Sequence, residues 1–231
     1  MKESRQAAPK KRPIAFTALR RVSNSGAPVI TYSIMAVCVI VFLLQLVTGT
    51  FGAVFQTLAF QGLLASSEPW RMLTSIFVHL SFAHILFNMY SLYVFGPMLE
   101  SMLGRARFTA LFLLTGFAGS VAVLLINPLV PVAGASGAIF GLLGAYFVIQ
   151  RHLGGSNVQL LIVIALNLVI GFVVPGIAWQ AHVGGLVVGA LIGFIFMKTR
   201  SRSKRTVQLV SLAGTTVGLI ALTAIGAGVA G

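Results

Sequence analysis

The chain has 231 residues, of which 58% are apolar and 8% charged, against about 25% charged in an ordinary soluble domain. Its 16 basic and 3 acidic side chains are too few to cover a soluble protein of this size, which excludes a soluble enzyme. The net charge of +13 would suggest nucleic acid in a soluble chain. Here the basic residues sit in short clusters outside the apolar runs, where they read as topology signals, and no nucleic-acid partner is expected.

Residues 1–27 are polar and basic, with Lys2, Arg5, Lys10, Lys11, Arg12, Arg20 and Arg21. They read as a disordered cytoplasmic tail held near anionic lipid. Seven apolar runs follow, at roughly 28–48, 80–99, 107–126, 136–150, 157–174, 179–197 and 207–229. The first has the length of a membrane span, about 20 residues, and no evident cleavage site, so it reads as an uncleaved span; a transit-peptide reading of the Arg-rich start is the alternative. With the N-terminus inside, 15 of the 16 basic residues face the cytoplasm and Arg71 alone lies outside, as the positive-inside rule requires. The C-terminus then lies outside. The chain divides into the tail (1–27), a six-span core (28–198), and a basic loop with a seventh transmembrane helix (199–231). The long outer connection, 49–79, carries Phe51, Phe55, Phe60, Leu63, Leu64 and Trp70, an aromatic content suited to the membrane interface. Pro128 and Pro131 break the chain after the third span, and Pro175 after the fifth.

Cys38 is the only cysteine, which excludes an intrachain disulfide and a cysteine-based metal site. There is no Asp, and Glu3, Glu68 and Glu100 are the only acids. A Ser-His-Asp triad cannot be assembled, and carboxylate dyads or carboxylate metal cages are not expected; neither a metal nor a cofactor is called for.

Polar side chains at membrane depth are expensive and therefore functional candidates. His84 and Asn88 lie in the second run, Ser136 at the head of the fourth and His182 near the head of the sixth. Arg151 follows Ser136 by 15 residues, Lys198 follows His182 by 16 and Glu100 follows His84 by 16. At about 1.5 Å of rise per residue these three groups stand about 22–24 Å above the inner edge. Three independently anchored helices thus bring them to one level. Small residues at a spacing of four mark the fourth span (Gly137, Gly141, Ala145) and the sixth (Ala181, Gly185, Gly189, Gly193), a pattern that lets helix backbones approach closely in lipid. Packing the two stripes together sets Ser136 beside His182.

A serine at a helix N-terminus sits where unpaired N–H groups and the helix dipole favour negative charge, the place for an acyl-transfer nucleophile and its oxyanion. A neighbouring His can take and return the proton. Phe140, one turn below Ser136, is placed to stack on the His182 ring, and His84 and Asn88, four apart on one helix face, can donate to an oxyanion. Each residue has a plainer role: Ser136 as a helix cap, Asn88 as interhelical glue and the glycines as packing, and His84 and His182 as structural polar groups. His79 and His152 read as structural or solvated residues nearer the interfaces. A proton or ion relay through His84, Asn88 and His182 would call for intramembrane carboxylates and repeated halves, which the sequence lacks.

At these residues the sequence resembles the rhomboid family of intramembrane serine proteases. The resemblance is carried by Trp70-Arg71, His79 with His84 and Asn88, Glu100 with Gly104 and Phe108, Gly134-Ala135-Ser136-Gly137, and Ala181-His182-Val183-Gly184-Gly185. It implies an all-α polytopic membrane protein with a six-helix core plus one C-terminal transmembrane helix. It implies a Ser136–His182 dyad and an oxyanion hole from the Ser136 N–H, His84 and Asn88, with Phe140, Gly134, Gly137 and Gly185 in support. The implied partners are the lipid bilayer and single-span membrane protein substrates, cut near the outer end of their transmembrane helix, and the implied setting is a bacterial cell membrane. Relatives that bind membrane clients without catalysis lack the Ser, the His or both; Ser136 and His182 are both present.

Overall fold

The computed structural model describes residues 26–174 and 176–230. The basic tail, apart from Gly26 and Ala27, and Pro175 lie outside the described residues. Every regular element among them is helical. The seven apolar runs form α1 (Val29–Thr48), α2 (Phe82–Leu103), α3 (Arg105–Ile126), α4 (Ser136–His152), α5 (Val158–Val173), α6 (Trp179–Lys198) and α7 (Arg205–Ala230). Five of these, α1, α2, α3, α6 and α7, belong to helical stretches long and apolar enough to cross a membrane. With 17 and 16 residues, α4 and α5 fall below that length, so the six-plus-one count depends on two short helices.

One carboxylate ties the start of α1 to the end of α2. Glu100, near the end of α2, accepts hydrogen bonds from the Ile30 N–H (3.0 Å), the Thr31 N–H (2.8 Å) and the Thr31 hydroxyl (2.8 Å). A negative charge there satisfies N–H groups that the first turn of α1 leaves unpaired and complements its dipole. Gly104 then turns the chain from α2 into α3 in one residue, at φ 78°, a conformation that disfavours any side chain.

The centre of the bundle is α6, which packs most closely on α4 and then on α3. Its small residues meet backbone rather than side chains. A Cβ added to Gly185 would come 1.9 Å from the Gly137 carbonyl oxygen, and one added to Gly189 would come 2.1 Å from that of Gly141. Dispersion and close backbone contact drive such packing in lipid, where no hydrophobic gain separates one apolar face from another. The last helix, α7, lies on α3: Leu219 joins Val121 and Leu124 in one apolar cluster. Near its start Gln208 links Arg107 of α3 (2.8 Å) to Thr199 (2.7 Å).

The connection 49–79 is a folded unit with its own interior. It contains short helices at Ala53–Leu58 and Arg71–Thr74 and single 3-10 turns at Gly62–Leu64 and Ser75–Phe77. Phe55, Phe60 and Met72 are buried, whereas Phe51, Leu63 and Trp70 remain exposed. Arg71 is buried in this unit; it pairs with Glu68 and donates to the carbonyls of Gln56 and Ala59. A buried guanidinium with this set of acceptors is satisfied internally.

Candidate active site

Ser136 opens α4 because the segment before it cannot be helical. Gly134 has φ +111°, and Phe60 and Val132 exchange backbone hydrogen bonds (3.0 and 2.9 Å) that tie the segment to the 49–79 unit. The Gly134 N–H donates to the Ser75 carbonyl (2.9 Å). Ser136 therefore emerges, half-buried, as the first residue of a helix held by the 49–79 unit. Its N–H belongs to the first turn, whose amides have no intrahelical partner.

His182 reaches the same point from the first turn of α6. Its Nε2 lies 2.9 Å from Ser136 Oγ. The Phe140 ring is stacked on the imidazole, with centroids 4.3 Å apart and planes 12° from parallel. The other ring nitrogen, Nδ1, is buried with no hydrogen-bond partner among the described residues. It faces Gly171 of α5, where an added Cβ would approach it to 3.1 Å. A neutral imidazole that accepts from a serine at Nε2 carries its proton on Nδ1. Packing, rather than a carboxylate, orients this ring: Phe140 covers one face and α5 closes the Nδ1 edge.

His84 and Asn88 meet at Gly134. A Cβ there would lie 2.6 Å from His84 Nε2 and 3.6 Å from Asn88 Nδ2, so glycine is required twice, by φ and by contact. The Leu80 N–H approaches His84 Nδ1 at 3.4 Å, which makes Nδ1 the acceptor and leaves Nε2–H as a donor. Asn88 Nδ2 donates one hydrogen to the His84 carbonyl (2.9 Å) and keeps the second. Both donors project from one face of α2.

Gly137 and Gly185 stand where α4 and α6 touch, and Gly137 leaves 3.3 Å between an added Cβ and the Ala181 carbonyl oxygen. Two residues carry more than their sequence positions disclosed. His79 is completely buried rather than solvated, with its ring edge-on to that of His84 at 5.2 Å. Gln45 of α1 clamps the His79 backbone, accepting from its N–H and donating to its carbonyl at 3.0 Å each. The alternating polar pattern around His79 carries no signal for this, because the partner is 34 residues away. His152, by contrast, is exposed.

These groups open on a cavity of about 640 Å³. It is bounded by α2 on one side and α5 on the other, with Phe140 and Leu143 of α4 between them. The two walls pack little against each other, so the cavity is a cleft between helices. Phe172 and Trp179 stack at 4.3 Å and tie the end of α5 to the start of α6. Among the described residues no group of three or more His, Cys, Asp or Glu could hold a metal ion.

A family model described as the Rhomboid domain matches residues 66–199. Among curated proteins, the chain is similar to "Rhomboid protease GluP" of Bacillus subtilis (strain 168), 34% identical over 210 residues, covering 86% of this chain and 41% of that protein. It is similar to "Putative rhomboid protease YdcA" of the same organism, 37% identical over 145 residues, covering 60% of this chain and 73% of that protein. It is also similar to "RHOMBOID-like protein 1" of Arabidopsis thaliana, 38% identical over 137 residues, covering 56% of this chain and 35% of that protein. The chain spans less than half the length of the first and third of these relatives.

Proposed function

The chain belongs to the rhomboid family, and from that premise we propose that it is an intramembrane serine endopeptidase that cuts transmembrane segments near their outer end. The observation that carries this reading is the 2.9 Å contact of Ser136 Oγ with His182 Nε2 at the head of a cleft between two membrane helices. His182 takes the Ser136 proton as Oγ attacks the scissile carbonyl. The resulting imidazolium lies against the π face of Phe140, which favours a cation. The oxyanion is held by the Ser136 N–H, His84 Nε2–H and the free hydrogen of Asn88 Nδ2, donors fixed before reaction. His182 then gives the proton to the departing amine, and the same groups run the sequence in reverse with water to release the acyl half.

The substrate is a single-span membrane protein admitted from the bilayer. The cleft between α2 and α5 supports access on that side, and the folded, internally bonded outer unit does not. The distribution of basic residues supports a cytoplasmic N-terminus. The similarity across 86% of the chain to a Bacillus subtilis protein supports a bacterial cell membrane. The test is a gel-based cleavage assay in liposomes with a single-span substrate bearing small and helix-breaking residues near its outer end. Wild type is expected to cut within or just outside the span and Ser136→Ala to leave the substrate intact. Equal cutting by Ser136→Ala would overturn the assignment of the nucleophile.

A further inference from the structure

The cleft below the dyad is walled by two helix faces with the same spacing. On α2 the lining residues include His84, Asn88, Ser91 and Phe95; on α5 they are Val163, Asn167 and Ile170, with Val174 just past its end. These faces have the periodicity of one helical stripe. The level of the dyad on α5 is marked by Gly171, which touches the His182 ring. Asn167 is one turn from it, about 6 Å further from the helix tops. On α2, Ser91 is one turn beyond Asn88 in the same direction. Asn167 and Ser91 are thus polar groups on opposite walls, both below the dyad, in the otherwise apolar lower half of the cleft.

Asn167 is the only polar residue on its lining face, and it is exposed rather than packed against a neighbour. Its Nδ2 donates to the Val163 carbonyl of its own helix (2.8 Å). That leaves one Nδ2 hydrogen, and an Oδ1 without a hydrogen bond among the described residues. An asparagine turned toward a cleft at this depth bears a cost that leucine would avoid. A peptide substrate in the cleft bears the corresponding cost. To be cut, its strand must leave the helix, and each peptide N–H and C=O so released is unpaired in apolar surroundings. An asparagine amide matches both needs, accepting from an N–H at Oδ1 and donating to a C=O from Nδ2.

Resting on the protease reading above, we propose that Asn167, assisted by the Ser91 hydroxyl, is a subsite for the backbone of the unwound substrate. An extended strand advances about 3.3 Å per residue, so the group bound is the peptide about two residues from the scissile bond, on its membrane-buried side. The ligand is a main-chain amide, and substrates are favoured by how readily this stretch leaves the helix rather than by its side chains.

The test compares wild type and Asn167→Leu, which keeps the branched four-atom side chain but has no hydrogen-bonding groups, on a semisynthetic single-span substrate. The peptide bond two residues into the span is either native or replaced by an ester, which removes its N–H. On the native substrate, kcat/KM is expected to fall about 10- to 100-fold in Asn167→Leu, the range for leaving a buried peptide group unpaired. The ester is expected to lower cleavage by wild type by a similar factor and to have little effect on the variant. A merely structural role for Asn167 would leave both enzymes equally sensitive to the ester, and that result, or wild-type kcat/KM in the variant, overturns the proposal. Labelling by a serine-directed phosphonate shows whether the dyad is assembled; if Asn167→Leu fails to label, the same comparison is made with Ser91→Ala. Wild type that labels and cuts without these differences refutes the subsite alone. Folded wild type that neither labels nor cuts refutes the protease reading, and the subsite with it.

Discussion

Adding one methyl group at Gly185 tests the packing that brings the dyad together. In Gly185→Ala the new Cβ would lie 1.9 Å from the Gly137 carbonyl oxygen, whereas real Cβ atoms essentially never approach another atom to within 3.0 Å. The obstacle is backbone, so no rotamer change relieves it, and α4 and α6 must part by about 1 Å. Ser136 and His182 ride on these two helices, one near each point of contact. Their 2.9 Å contact then opens to about 4 Å, outside hydrogen-bonding distance. A displacement of about 1 Å at reacting groups costs about 10²-fold in rate, and overpacking a well-filled interface costs about 1–3 kcal/mol. Cleavage in liposomes should therefore fall about 100-fold, with a lowered thermal midpoint in detergent. Gly218→Ala on α7 is the control, because nothing lies within 4 Å of its added Cβ, and it should match wild type in both assays. Wild-type turnover and midpoint in Gly185→Ala would refute the close α4–α6 contact as the device that positions the dyad.

Asn88→Ala removes one of the proposed oxyanion donors and should lower kcat by about 10²- to 10³-fold, measured on a reconstituted single-span substrate. Phe140→Leu keeps an apolar filler but removes the stacked ring; an aromatic contact worth about 0.5–1.5 kcal/mol implies a loss of kcat of up to about tenfold, read in the same assay. Glu100→Gln replaces the charged acceptor of three hydrogen bonds at the start of α1. Each bond to a charged group contributes about 1.5–3 kcal/mol, so its thermal midpoint should fall clearly while the folded fraction cuts at the wild-type rate.

Much of the site geometry is legible in one dimension. Helix rise from the inner charges sets Ser136, His182 and His84 at one height, and the small-residue stripes set the fourth and sixth helices side by side; neither step needs long-range information. The outer unit is different. Arg71 reads as the lone basic residue outside, yet it is buried and bonded to Gln56, Ala59 and Glu68. His79 reads as an interfacial histidine, yet it is buried behind His84 and clamped by Gln45. Both depend on a chain segment folding back on partners a dozen or more residues away, for which hydropathy and helical period carry no signal. The cleft carries no such signal either: α5 lies close to His182 at Gly171 and is loose against α2, a packing that its apolar run does not disclose.

In the proposed mechanism Ser136 is a nucleophile made reactive by His182. Labelling of the folded, detergent-solubilised protein with a serine-directed phosphonate, mapped by peptide mass spectrometry, tests it most directly. The expected result is one adduct, on Ser136 in wild type, lost in His182→Ala and in Ser136→Ala. No adduct on folded wild type, an adduct on a different serine, or His182→Ala labelling as fast as wild type would contradict it.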